Sequence, residues 1–90
     1  MTVADEIRGR LGALAPARLE LIDESAKHIG HAGARPEGNT HWKLTIVSAA
    51  FDGKPTVARH RMIYQALGDL MRHPIHALAI TARAPGETDG

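Results

Sequence analysis

Apolar residues recur along this chain with two different periods, and each change of period marks a predicted element. Between Val3 and Leu14 they return every three or four residues, which is typical of one face of a helix. Thr2 can cap this helix at its start. Gly12 weakens the helix and Pro16 ends it. The first element is therefore predicted to be an amphipathic helix whose apolar stripe needs a surface to pack against.

Three later segments have the pattern of strands. Leu19 to Glu24 is short and roughly alternating, and its charges are typical of an edge strand. Thr40 to Ser48 alternates clearly, which predicts a strand with one buried face. Its apolar face consists of Trp42, Leu44 and Ile46. Ile75 to Arg83 is rich in Ile, Leu and Ala without a turn residue, and is predicted to be the last strand.

A second helix is predicted between Pro55 and Pro74. An Asp-Gly turn at residues 52–53 precedes Pro55, which can occupy the first turn of a helix without losing a hydrogen bond. The helix must stop before Pro74, because the residue preceding a proline is pushed out of the helical region. Its apolar stripe comprises Ile63, Ala66, Leu67, Leu70 and Met71, and its solvent-exposed face Arg61, Gln65 and Arg72. Arg59 and His60 fall beside the stripe.

These elements predict an α+β fold with the order α-β-β-α-β. Two helices on one face of a three-stranded sheet is the simplest way to bury both stripes. The helix between the second and third strands allows those strands to pair in parallel through a crossover. Residues 25–39 contain three glycines and a proline without periodicity, so we predict a loop that carries function or is mobile. A polar segment begins at Ala84, which predicts one domain over residues 1–85 and a disordered tail at 86–90.

Composition limits the classes of function. Ninety residues form one domain, and a net charge of +1 argues against strong nonspecific binding to nucleic acid. The absence of cysteine excludes a disulfide or a self-sufficient thiolate site. No nucleophile-base pair or phosphate-binding loop stands out, so we do not expect an enzyme. No apolar run could span a membrane, and early acidic residues argue against a targeting segment, so we expect a cytoplasmic protein.

Histidine is the informative excess in this composition. The chain has six histidines: His28, His31, His41, His60, His73 and His76. Their spacing does not match a zinc finger. Imidazole nevertheless binds iron, copper and zinc, and two histidines can replace two cysteines on one iron of a two-iron two-sulfur (2Fe-2S) cluster. A chain without cysteine can therefore still supply part of a metal site, although a lone histidine on a strand is more often structural.

Several motifs resemble the BolA family, in the right order and over about residues 3 to 85. The motifs are LELIDESAKH from Leu19, THWK from Thr40, Phe51-Asp-Gly, the run Arg59-His60-Arg61-Met62-Ile63-Tyr64, and IHALAI from Ile75. The resemblance implies a type II KH-like fold, in which a three-stranded mixed sheet is covered by helices on one face. It also implies a specific partner, a monothiol glutaredoxin of the CGFS type.

By this resemblance, histidines of the chain help to ligate a 2Fe-2S cluster that is shared with the glutaredoxin and its bound glutathione. The motif IHALAI maps one ligand onto His76, and DESAKH maps the other onto His28. The loop adds His31, which is the alternate ligand. His60 and Arg59 match signature positions and are expected to support the framework. The isolated chain is expected to be a monomer without a cofactor.

The basic residues around the second helix allow a competing function. Lys54, Arg59, Arg61 and Arg72 could form an ordinary solvated face, dock an acidic surface of a glutaredoxin, or contact DNA. BolA-like proteins are also regarded as transcription regulators of the stress and morphology type, and DNA binding is therefore the alternative function. Against it, the chain has few stacking aromatics and no GXXG between two helices. A third alternative is a stress-associated interaction module without a cofactor.

Overall fold

The computed structural model describes residues 2–24 and 40–87 of the chain. Its helices and strands are α1 (Val3–Leu11), β1 (Arg18–Asp23), β2 (His41–Val47), α2 (Thr56–Leu67) and β3 (Ala77–Arg83). This order confirms the predicted α-β-β-α-β arrangement, with strand boundaries within two residues of those expected. The predicted loop at residues 25–39 lies outside the described residues. None of the helices described is long and apolar enough to cross a bilayer.

Side chains cap the start of α1, and backbone hydrogen bonds close its end. The Thr2 hydroxyl accepts a hydrogen bond from the Asp5 backbone N–H at 3.1 Å, and the Asp5 carboxylate accepts one from the Thr2 N–H at 3.3 Å. This reciprocal capping satisfies donors that the first turn of a helix leaves unpaired. After Leu11 the chain tightens into a 3-10 turn at Gly12–Leu14, ahead of Pro16. The predicted start of the first helix is confirmed, whereas α1 ends at Leu11, and Leu14 of its predicted stripe lies in the 3-10 turn.

The second helix is shorter than its apolar stripe suggested. Pro55 has extended backbone and α2 starts at the next residue. The helix ends at Leu67, because Gly68 takes a φ of 54° that an α-helix does not accommodate. Leu70 and Met71 therefore lie in a separate 3-10 turn, Gly68–Met71, and not in α2 as predicted.

The sheet has the order β1-β2-β3, with β2 in the centre. β1 pairs antiparallel with β2, and Leu21 lies opposite Leu44. β2 pairs in parallel with β3, and Leu44 lies opposite Ile80. The parallel pair confirms the predicted crossover through α2. The strand order confirms β1 as an edge strand, with β3 at the other edge.

The helices cover one face of this sheet and enclose the core. Trp42, Leu44 and Ile46 are all at most 5% exposed, as their alternation predicted. The other fully buried large side chains come from the helices, the turns and the approach to β3: Ile7, Leu11, Phe51, Ile63, Leu67 and Ile75. The opposite face of the sheet is more polar and more exposed, and it carries Arg18, Glu20, Lys43, Thr45, Thr81 and Arg83.

Hydrogen bonds from side chains to backbone carbonyls join the elements. Arg10 on α1 donates to the carbonyl of Leu67 at the end of α2 at 2.8 Å. The Ser48 hydroxyl donates to the carbonyl of Leu14 and accepts from the N–H of Ala50. These carbonyls lie at the C-terminal ends of helices, where no N–H group of the same helix is available to bond them.

Arg59 anchors the end of β3 to α2. Arg59 is 9% exposed, and its guanidinium donates to the carbonyl of Ala82 at 3.0 Å and to that of Lys54 at 2.8 Å. Both terminal nitrogens also donate to the Glu87 carboxylate, at 2.6 and 2.8 Å. This fork geometry is the strong, bidentate form of an arginine-carboxylate pair.

The same contact corrects the predicted domain boundary. Ala84 is 2% exposed, and its N–H donates to the Glu87 carboxylate at 2.8 Å. The chain through Glu87 therefore belongs to the fold, and the predicted start of a disordered tail at residue 86 is too early. The rest of that tail, residues 88–90, lies outside the described residues. The error arises because a polar segment can be held by charged hydrogen bonds, which an apolar pattern does not reveal.

We predict that Glu87→Gln destabilises the protein near neutral pH and removes part of its acid sensitivity. The hydrogen bond from Arg59, and then that from the Ala84 N–H, lower the pKa of Glu87 from 4.5 to about 2. A carboxylate with a lowered pKa in the native state stabilises the fold above its unfolded pKa, and this contribution is lost as pH falls. The difference in denaturation midpoint between wild type and variant should thus become smaller as the pH falls from 4.5 to about 2.

The matched control is Glu20→Gln, which removes a carboxylate from an exposed ion pair with Arg18. Exposed pairs contribute little, so this variant should change the free energy of unfolding by less than about 0.5 kcal/mol. Equal midpoints for Glu87→Gln and Glu20→Gln at neutral pH would contradict the anchoring role of Glu87.

Candidate metal-ligand site at the opening of β3

The backbone fixes the position of His76 at the opening of β3. The N–H groups of His76 and Ala77 both donate to the carbonyl of Thr40, at 2.7 and 3.0 Å. The preceding residue, Ile75, is 1% exposed and is packed into the core. The His76 side chain itself is exposed. An exposed imidazole is thus carried by backbone that is anchored on both sides.

A second histidine lies against the ring of His76. The ring centroids of His41 and His76 are 5.4 Å apart, with the planes tilted by 54°. His41 is 9% exposed, and its Nδ1 lies 3.0 Å from the Thr40 hydroxyl, with which it shares a hydrogen bond. The direction of that bond depends on the tautomer of the ring. The site therefore combines an exposed imidazole with a buried, hydrogen-bonded one.

Sequence reasoning placed His41 at the start of a strand but did not bring it to His76. The contact follows from the register, because the parallel ladder begins with His41 opposite Ala77. The expected parallel pairing of the two strands already implied that the two histidines lie at the same end of the sheet. The register, which the sequence does not give, is needed to predict that their rings are in contact.

The described residues on either side of the predicted loop also meet at this corner. The N–H of Glu24 donates to the carbonyl of His41 at 2.8 Å, and Thr40 contacts His76 as described above. The chain thus leaves the described part of the fold, and enters it again, beside the histidine pair. The predicted ligands His28 and His31 lie outside the described residues. His28 is four residues from Glu24 in the sequence.

The other two histidines lie elsewhere. His60 is half-buried on α2, where its ring and that of Tyr64 form a T-shaped pair with a centroid distance of 6.4 Å. His73 is exposed in the turn before β3, as predicted. Arg59, which precedes His60 on α2, contacts Ala82 near the end of β3. His76 lies at the other end of that strand. The contacts of Arg59 fit the framework role that was predicted for it, and do not reach the histidine pair.

The predicted basic cluster divides into one buried and three exposed residues. Lys54, Arg61 and Arg72 are exposed, whereas Arg59 points inward to Glu87. A contact of Arg59 with a partner therefore stays a prediction that its described hydrogen bonds do not favour.

Two exposed apolar side chains on α2 were not identified from the sequence, Val57 at 59% and Tyr64 at 42%. Their spacing with Arg61 places all three residues on one helical face. The periodicity of buried apolar residues does not indicate this face, because it is exposed.

The chemistry available to this corner is that of an incomplete metal site. Imidazole is a ligand for iron, copper and zinc when it is neutral. Within residues 2–24 and 40–87, no three side chains of His, Cys, Asp or Glu converge in a way that could hold a metal ion. The histidine pair can therefore contribute donors to a site, and the described residues do not complete one.

The family model described as BolA-like protein matches residues 11–87 of this chain. A SufE-like protein 1 of Arabidopsis thaliana, chloroplastic/mitochondrial, is 47% identical over 78 residues, which cover 82% of this chain and 21% of that protein. BolA-like protein 1 of Mus musculus is 40% identical, with coverage of 90% and 57%. The chain thus corresponds to about a fifth of the first relative and just over half of the second.

Two further comparisons cover most of both chains. The solved structure of the BolA domain of SufE1 from Arabidopsis thaliana superposes with a TM-score of 0.85 and 43% identity, covering 98% of each chain. The DNA-binding transcriptional regulator BolA of Escherichia coli is 35% identical, covering 100% of this chain and 83% of that protein. The family match, the relatives and the shared fold together show that this chain belongs to the BolA-like family.

Proposed function

We propose that this protein is an adaptor in iron-sulfur cluster handling, which binds a monothiol glutaredoxin and contributes histidine ligands to a shared 2Fe-2S cluster. The observation that carries the proposal is the exposed ring of His76 on anchored backbone, beside His41. The similarity to a SufE-like protein and to its BolA domain is consistent with a role related to iron-sulfur chemistry.

The donor set of the chain fits a shared cluster better than a resident one. The chain has no cysteine, and iron-sulfur clusters are held mainly by thiolates, with two histidines replacing two cysteines in some 2Fe-2S centres. His76 and one loop histidine, His28 or His31, would supply the imidazoles. The glutaredoxin cysteine and glutathione would supply thiolates. When bound, such a cluster would have a higher potential than one with four thiolates, because neutral imidazoles reduce its negative charge.

The residues around His76 would act by holding one imidazole in place. Two hydrogen bonds to the Thr40 carbonyl fix the backbone, and the His41 ring restricts the volume open to the His76 ring. A ligand that is already oriented loses less conformational entropy on binding. Metal coordination also requires a neutral imidazole, so acid should weaken the complex.

We predict that His76→Ala abolishes the spectral change that this protein produces in a glutaredoxin-bound cluster. Absorption and circular dichroism of the reconstituted cluster would be followed during titration with wild type or variant, because the visible spectrum reports the ligand set. Wild type should shift the spectrum at a ratio of one to one. His76 is exposed, so the substitution should cost less than about 0.5 kcal/mol of stability.

His73→Ala is the matched control, since His73 is exposed, lies three residues away and was not predicted as a ligand. It should behave like wild type. Separate His28→Ala and His31→Ala variants identify the loop ligand, and the one that matters should lose the spectral change. If His76→Ala changes the spectrum as wild type and His73→Ala do, coordination by His76 is wrong. If wild type itself leaves the spectrum unchanged, the module without a cofactor is favoured.

DNA binding is the second candidate, and two observations favour it. Lys54, Arg61 and Arg72 are exposed, and the Escherichia coli relative is named a DNA-binding transcriptional regulator. Against it stand the small net charge and the burial of Arg59.

If DNA is a partner, Arg61→Ala should weaken binding across sequences and lower the salt dependence of log K by about one per lost phosphate contact. Fluorescence anisotropy with a labelled duplex at several salt concentrations measures this. Gln65→Ala, exposed on the same helix, is the neutral control. Affinity without a steep dependence on salt, or equal effects of the two variants, would argue against this function.

A further inference from the structure

The open face of the sheet holds a shallow depression of about 310 Å³, on the side away from the helices. It is lined by Arg18, Glu20, Lys43, Thr45, Thr81 and Arg83. These residues belong to all three strands, and none of them was part of the predicted metal site or of the basic cluster on α2. The depression is therefore distinct from both surfaces considered above.

Strand register explains the shape of this depression. Glu20, Thr45 and Thr81 lie in one row across the three strands. In the adjacent row, Arg18 and Arg83 lie on either side of the central strand, so their backbones are about 10 Å apart at a strand spacing of about 4.8 Å. The short threonines form the floor of the depression, and the long cationic side chains form its walls.

Lys43 lies on the other side of the threonine row from the two arginines. It is two residues from Thr45 on β2, and its side chain therefore points to the same open face. Lys43 is exposed, and within the described part of the chain it makes no ion pair. The depression thus has cationic groups at both ends, with two hydroxyls between them that can donate hydrogen bonds.

The charge of the depression favours an anion. The lining of the depression carries three cationic side chains and one carboxylate, that of Glu20, which lies 2.9 Å from Arg18 in an exposed ion pair. Positive charge concentrated in a concave surface raises the local concentration of anions. Arginine forks, a lysine and hydroxyl donors are suited to phosphate, which presents several acceptor oxygens.

The size and surface of the depression favour a small ligand over nucleic acid. Trp42 on β2 points to the core and is 5% exposed, and the ring of His41, on the same face as Lys43, belongs to a residue that is 9% exposed, so the central strand offers no exposed ring for a base to stack on. A volume of about 310 Å³ is at the lower end of the range for small-molecule sites. We propose that the open face of the sheet binds a small phosphorylated ligand with two phosphate groups, one near Lys43 and one near Arg18 and Arg83.

The test uses the complete chain and inorganic pyrophosphate as the probe, at about 50 mM salt, where screening is moderate. NMR spectra of the backbone amides should show saturable shifts at Thr45 and Thr81, and calorimetry should give the affinity. Lys43→Ala and Arg83→Ala should each weaken binding by about three- to tenfold. Glu20→Gln should tighten it, since it removes the carboxylate in the lining of the depression.

Two variants are matched controls. Arg61→Ala removes an exposed cation from α2, and His76→Ala removes the proposed cluster ligand. Both should bind pyrophosphate as wild type does, so that failure of this proposal and failure of the proposed cluster role remain distinguishable. Inorganic phosphate should bind more weakly than pyrophosphate, because it can engage only one end of the depression.

Several outcomes would overturn the proposal. These are the absence of saturable shifts at Thr45 and Thr81, an effect of Arg61→Ala as large as that of Lys43→Ala, and weaker binding by Glu20→Gln. Equal affinity for phosphate and pyrophosphate would overturn the assignment of two phosphate groups. Binding of a DNA duplex that depends on Lys43, without binding of pyrophosphate, would assign the face to nucleic acid instead.

Discussion

The carbonyl of Thr40 accepts hydrogen bonds from two consecutive N–H groups, those of His76 and Ala77, and the rest of the architecture depends on the strand pairing that begins there. This contact starts the parallel ladder between β2 and β3. Parallel strands cannot be joined by a hairpin, so the chain must cross over, and α2 is that crossover. The helix then lies on one face of the sheet and encloses the core together with α1.

β3 is held at both ends by polar interactions of different kinds. At its opening the Thr40 carbonyl fixes the backbone, and at its close Arg59 bonds the Ala82 carbonyl and the Glu87 carboxylate. The first anchor leaves the side chain of His76 exposed for a partner. The second uses a guanidinium that is largely buried and bonds to groups of the same chain. One basic signature residue is therefore structural, whereas the histidine at the other end of the same strand is available for chemistry.

The sequence predicts the fold well, because each element has a strong local pattern. Alternation located β2, and the prolines at 55 and 74 limited the second helix. The length of α2 was overestimated, since apolar spacing continues through Leu70 while the backbone changes direction at Gly68. Periodicity reports which side chains are buried and does not report a positive φ.

The candidate site was less predictable, because its contacts join residues far apart in the chain. His41 meets His76 only through the register of a parallel pair. Arg59 is buried because Glu87, 28 residues later, neutralises it, and that segment was expected to be a tail. The ligand assignments to His76 and His28 came from family resemblance and not from a pattern of spacing.

The most direct test of the central claim is pulsed electron paramagnetic resonance of the reduced, glutaredoxin-bound cluster, with this protein alone labelled with ¹⁵N-histidine. Nitrogen bound to cluster iron couples to the unpaired electron, and the label assigns that nitrogen to this chain. The account predicts a ¹⁵N coupling with wild type that is lost or reduced in His76→Ala and retained in His73→Ala. A spectrum without ¹⁵N coupling, in a complex that binds at one to one, would contradict histidine ligation by this protein.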